Sequence, residues 1–221
     1  FRSDLMWAIQ FLFQKISMIK NNNLLFAALL FFFSNILFSC NQTEFYADPQ
    51  ANGLGIFSNT GKNLMSGYIQ NEPWRTRDRK TGGFLGGPTY EIYITKQITS
   101  GPKDNLIFTW YVNPTTNNIL NGDISLVLAV PKVFGYKELS ALKGQRLALD
   151  TLNGYFTFSS AQSNFTKGSG NIYFHDMQID SIGPNNFTGR MSGLLDAKLG
   201  GNLILKNGRF DHSLTALQIQ F

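Results

Sequence analysis

The chain is poor in the residues on which catalysis and metal binding most often rest. Its 221 residues include one cysteine, Cys40, and two histidines, His175 and His212. A single cysteine excludes a disulfide framework within the chain. Two histidines leave little for a zinc site, which takes three or four ligands at recognisable spacing, so neither a metal nor another cofactor is expected. Charged residues make up 15% of the chain, and the formal net charge is +5. Removing Arg2, Lys15, Lys20 and Asp4 with the first 39 residues lowers that excess to +3. This is too mild and too scattered for the basic face of a nucleic-acid binder, so no nucleic-acid partner is expected.

Catalytic motifs are missing as well. The Gly-rich segment 82–88 places Pro88 directly after Gly87, where a phosphate loop needs Lys and then Ser or Thr. No Gly-x-Ser-x-Gly elbow occurs. His175-Asp176 and Asp211-His212 set carboxylates beside imidazoles, but neighbours on a strand point to opposite faces, so neither pair is a preformed dyad. Asp176 and Asp180 share a strand face. Their Cα atoms lie about 13 Å apart at an ordinary strand rise, too far for the paired carboxylates of a glycosidase, and they read as solvent-facing acids. No catalytic residue is assigned, and an enzyme is not expected.

What is present begins with Cys40. Lys20 and three asparagines precede an apolar run over 24–37, and Ser39 stands just before the cysteine. Basic start, apolar centre and small residue before the cut make a secretory signal, and the run is short for a membrane span. The segment Leu37-Phe38-Ser39-Cys40 resembles the lipobox of bacterial lipoproteins. That resemblance implies that Cys40 is the lipid attachment site and first mature residue. Residues 1–17 read as an upstream translated extension, with Met18 as the start and Met6 as the alternative. Residues 18–39 are then the signal, 40–53 a polar flexible tether, and 54–221 the folded domain.

Within 54–221, short runs rich in Ile, Val, Phe, Tyr and Thr alternate with Gly, Asn, Asp and Pro clusters, the pattern of an all-β domain. Strands are expected over 64–70, 90–99, 105–112, 123–130, 154–159, 170–182, 186–196, 202–205 and 209–220. Ile92 and Ile94 alternate with Glu91, Tyr93 and Thr95, and Ile172 and Phe174 with Tyr173 and His175, as on strands with one wet face. Only 135–146 has helical spacing, with Gly144 placed to stop it. Asn121-Gly122, Asn153-Gly154 and Asn207-Gly208 are pairs suited to type I′ turns, and the last predicts a terminal hairpin. The fold expected is an antiparallel β-sandwich or partly closed barrel with at most one short helix.

Two features suggest a binding surface. Arg75, Arg77 and Arg79 alternate after Trp74, which puts the three guanidinium groups on one strand face where phosphate, carboxylate or acidic glycan would meet them. A charged edge that deters strand pairing explains the same run. Trp74, Trp110, Tyr111, Tyr155, Phe156 and Phe158 lie in or beside strands, where they either stack on a ligand or fill the core. Trp74, Arg75, Arg77, Arg79 and Trp110 are the candidate ligand-binding residues. The Asn-Phe-Thr triplets at Asn164 and Asn186 match a glycosylation pattern that a bacterial lipoprotein would not use.

Cys40, the stretch from Met65 to Trp74, the stretch Phe187-Thr-Gly-Arg-Met-Ser-Gly-Leu-Leu-Asp196 and Lys206-Asn-Gly-Arg-Phe-Asp211 together resemble the small lipoproteins of Bacteroidetes-type bacteria, a lipobox signal followed by an all-β domain of unknown function. The resemblance implies a lipid-anchored protein of the bacterial cell envelope, at the outer membrane on its periplasmic or exterior side. Its partners would be the membrane, through Cys40, and a glycan, small-molecule or envelope-protein ligand. The leading expectation is a non-enzymatic binding or structural module. A lipocalin-like carrier of a small apolar ligand is the alternative, and a hydrolase with an unrecognised site the third.

Overall fold

The computed structural model describes residues 47–80, 87–112, 122–160, 167–183, 186–199 and 203–221. Cys40, and the residues expected to form a signal and an upstream extension, lie outside them. The whole core falls within the compact unit Thr43–Phe221. In chain order the elements are β1 (Ala47–Asp48), β2 (Ala51–Gly55), β3 (Leu64–Ile69), β4 (Glu72–Arg75), β5 (Ile92–Gln97), β6 (Lys103–Trp110) and β7 (Gly122–Pro131). There follow α1 (Tyr136–Ser140), β8 (Arg146–Leu149), β9 (Gly154–Ser160), β10 (Ser169–Gly183), β11 (Asn186–Leu199), β12 (Leu203–Thr215) and β13 (Ile219–Gln220).

These strands make two large sheets and a small hairpin. One sheet has six strands in the order β4-β3-β12-β11-β10-β8, the other five in the order β13-β5-β6-β7-β9, and β1 pairs with β2. All pairings are antiparallel except β13 with β5. The sheets are not closed into a barrel: the expected all-β sandwich is the architecture.

Alternation explains the packing. In β6, Asp104, Leu106, Phe108 and Trp110 are buried while Lys103, Asn105, Ile107 and Thr109 face outward. Phe108 and Trp110 meet Phe174 and Phe210 of the opposite sheet, with ring centroids 5.6 and 5.7 Å apart. Trp74 is also interior, and its indole N–H donates to the Gly122 carbonyl at 3.1 Å. Aromatic pairs of this kind add about 0.5–1.5 kcal/mol each beyond area burial.

Turn chemistry departs from expectation in three places. Asn207-Gly208 does not close a hairpin, because β12 runs through it unbroken from Leu203 to Thr215. Asn207 takes a φ of 54°, and the extra residue becomes a bulge: Lys206 and Arg209 face Tyr68 and Ser66, three steps against two. The same bulge faces β11, where Leu195 and Ala197 pair with Gly208 and Leu205, and the Asp196 carboxylate accepts the Asn207 N–H at 2.8 Å. Asn153-Gly154 leads from β8 in one sheet to β9 in the other, with Asp150 accepting the N–H groups of Leu152 and Asn153. The tight hairpin between β3 and β4 instead turns on Gln70 and Asn71, with φ of 51° and 70°, the positive values a two-residue I′ turn needs. Asn121 lies outside the described residues.

At the N-terminal side, the tether expected over 40–53 is cut short, since Ala47 and Asp48 already pair with β2. This hairpin lies on the outer face of the six-stranded sheet, fixed by the Arg209–Asp48 ion pair at 2.5 Å and by Gly55 N–H donating to Ser66 Oγ at 3.1 Å. The helix is the short one expected. Leu139 buries it, and the Gly144 N–H, at a φ of 75°, donates to the Phe174 carbonyl.

Candidate functional site

The basic stretch is not one face. Trp74 and Trp110 are buried, Arg75 ends β4 half-buried, and the chain beyond it leaves the regular strand. Arg79 is only 5% exposed. Its Nε and Nη2 donate to both oxygens of Glu91 at 3.0 and 2.7 Å, and Nη2 reaches the Ser213 carbonyl and Gln218 Oε1. Arg79 therefore serves neither as an exposed ligand contact nor as an edge charge. A guanidinium fork matches a bidentate carboxylate, and here it braces the interior.

Glu91 carries the brace across the sandwich. His212 Nδ1 lies 3.2 Å from Glu91 Oε1, and Trp110 Nε1–H donates to His212 Nε2 at 3.2 Å. An indole N–H can only donate, so Nε2 bears no proton and Nδ1–H donates to Glu91. Burial alone would push the Glu91 carboxyl up, but hydrogen bonds from His212 and Arg79 outweigh it and hold the carboxyl below the usual glutamate range. Sequence alternation placed Glu91 on a wet face. Instead it precedes β5 and is fully buried.

A carboxylate and an imidazole in contact meet the distance requirement of a hydrolase dyad, but access is lacking. Glu91, His212 and Trp110 are all fully buried, and the nitrogen that would act as base is capped by the indole. Asp211 points the other way, as alternation requires. Its carboxylate accepts the N–H groups of Thr60, Gly61 and Lys62 at 3.2, 2.7 and 3.2 Å, together with the Ser58 hydroxyl. It thereby ties the loop before β3 to β12. His175 is exposed, edge-on to Phe57 and Tyr173. Asp176 is not the solvent-facing acid expected. It is 4% exposed, and although burial alone would raise its carboxyl, Lys143 at 2.8 Å and Arg190 at 2.7 Å hold it low.

Of the six aromatics singled out in the sequence, the sandwich turns four inward. Trp74, Trp110, Phe156 and Phe158 are core, while Tyr111 and Tyr155 face outward, half-buried. Tyr111 joins a site that the sequence did not indicate, on the outer face of the five-stranded sheet. Tyr93, Thr109, Ser125 and Thr157 are successive register partners across β5, β6, β7 and β9. Thr109 and Ser125 share a hydrogen bond of 3.2 Å between hydroxyls. Tyr93 is edge-on to Tyr111 and to Tyr90, with centroids 5.7 Å away in each case.

Arg77 and Asp123 stand alongside this row, Asp123 two residues from Ser125 on β7 and Arg77 over Tyr111. The Arg77 guanidinium lies 4.4 Å above the Tyr111 ring, and its Nε donates to the Tyr90 carbonyl at 2.7 Å. Asp123 accepts the Val112 N–H at 2.8 Å, and burial pushes its carboxyl up. Burial likewise raises the Tyr93 phenol, so at neutral pH it stays a hydrogen-bond donor. Of the five residues expected at a ligand site, Arg77 alone lies beside this row. Sequence reasoning missed Tyr93, Thr109, Ser125 and Asp123. Their only signal was that the outward positions of several strands all carry hydroxyls, which needs the pairing register to become visible.

Among the described residues no group of three or more His, Cys, Asp or Glu is placed to hold a metal ion. No helix there is long and apolar enough to cross a membrane, which leaves membrane-crossing strands unaddressed. Comparison with family models, with curated proteins and with solved structures returned no match, so the geometry of the chain itself is the ground for a functional reading.

Proposed function

We propose that the protein is a lipoprotein of the bacterial cell envelope, anchored through Cys40, whose domain is a non-enzymatic binding module for a neutral glycan. The ligand lies on the outer face of the five-stranded sheet. The observation that carries this reading is the register row Tyr93, Thr109, Ser125 and Thr157, a cross-strand line of phenol and hydroxyls without a charged member. Tyrosine offers an apolar ring to sugar C–H groups and a polar tip to their hydroxyls, and Ser and Thr both donate and accept. Asp123 and Arg77 beside the row supply an acceptor and donors for one sugar unit.

The interior favours this reading over a carrier. The space between the sheets is taken by Phe108, Trp110, Phe174 and Phe210, where a carrier needs a cavity of several hundred Å³. A screen of residues 43–221 against neutral glycans, acidic glycans and apolar fluorescent probes tests the binding reading. Retention of a neutral glycan is expected, and binding of the apolar probes alone would favour the carrier. The anchor has its own test: Cys40→Ala abolishes fatty-acid labelling and releases the protein from the membrane fraction, whereas unchanged labelling overturns it.

A further inference from the structure

The outer face of the six-stranded sheet, opposite the hydroxyl row, mixes exposed aliphatic and basic side chains. Leu194 and Ile204 are 44% and 42% exposed. Around them stand Arg146, Lys198 and Lys206, all exposed, with Lys198 directly opposite Ile204 in the register. Two shallow depressions of about 340 and 520 Å³ flank Asp196, the one acid between them. Asp196 is engaged by the Asn207 N–H, and Arg146 stacks 4.5 Å over Tyr173. Three cations against one acid leave this patch positive, and neither lysine is ion-paired among the described residues.

The path of the chain points the same way. The β1–β2 hairpin lies on this face, and Arg209, which pairs with Asp48, is the register partner of Leu194. Cys40 is seven residues before Ala47, a reach of at most about 25 Å. We infer that this face docks on an anionic lipid surface, with Lys198, Lys206 and Arg146 at the headgroups and Leu194 and Ile204 dipping between them. Exposed aliphatics ringed by cations suit an interface that is charged outside and apolar beneath, whereas a polyanionic glycan gains nothing from Leu194 and Ile204. The hydroxyl row then points away from the bilayer. The inference rests on the anchored reading only for the side on which the membrane lies.

Residues 43–221, which lack Cys40, test the face apart from the anchor by co-sedimentation with vesicles at low salt. Binding is expected to phosphatidylcholine vesicles carrying phosphatidylserine and not to phosphatidylcholine alone. Each lysine near such a surface contributes about fivefold, so Lys198→Glu with Lys206→Glu lowers partitioning by about 30-fold or more, while Lys103→Glu on the opposite sheet leaves it unchanged. Equal binding to neutral vesicles, no binding to anionic ones, or equal binding by the double variant overturns the inference. Any of these leaves the Cys40 reading to stand on its own labelling test.

Discussion

The residue that most constrains the interior is Glu91. Buried ion pairs lose far more when one member is removed than they add as a pair. Arg79→Ala strands the Glu91 charge, and a loss of about 3–5 kcal/mol is expected in urea unfolding. Trp110→Phe keeps the ring but leaves His212 Nε2 without its donor, for about 1–3 kcal/mol. Glu91 also sets an acid limit. Its folded carboxyl titrates below the ordinary value of 4.5, so as pH falls past that point the unfolded chain takes up the proton first. Its contribution is therefore complete above about 4.5 and is lost as pH falls through the folded value. Glu91→Gln makes the decline of stability below that pH shallower, which urea midpoints across the acid range measure. Little of this was legible residue by residue: alternation sends Asp211 and His212 to opposite faces, but only the fold shows that one clasps a loop while the other crosses the core.

Period-two alternation survives folding because it is a local consequence of the pleat. Ile172 and Phe174 turn inward and Tyr173 and His175 outward, as the sequence implied. Turns were less legible, because an Asn-Gly pair supplies positive φ equally to a hairpin or a bulge, and the choice lies with the pairing partners. Strands β11 and β3 flank β12 on both sides and continue past Asn207, so the chain kinks there instead of reversing. The left-handed φ of Asn207 makes Asn207→Val costly, by about 1–2 kcal/mol. Asn207→Gly is expected to fall within about 0.5 kcal/mol of the original. Thermal unfolding of the two variants checks the difference, and equal midpoints would count against the bulge. The short strands β1, β2, β4 and β8 escaped the sequence because two to five residues of pairing leave almost no periodic signal.

At the scale of the molecule, the two outer faces of one sandwich differ in chemistry. One is a row of hydroxyls and tyrosines, the other a basic and aliphatic patch beside the hairpin that leads back toward Cys40. The sequence carried the all-β class, since that is written in local patterns. It did not carry the proposed binding face, because Tyr93, Thr109, Ser125 and Thr157 are spread over 65 residues and meet only through strand register. The most direct test of that face is affinity electrophoresis of residues 43–221 through gels containing neutral polysaccharides, comparing the unaltered domain with Ser125→Lys and Tyr93→Ala. The account predicts retardation of the unaltered domain by at least one polysaccharide and its loss in both variants, with the unfolding midpoint of Ser125→Lys little changed. Retardation by none of them, or equal retardation of all three proteins, would contradict it.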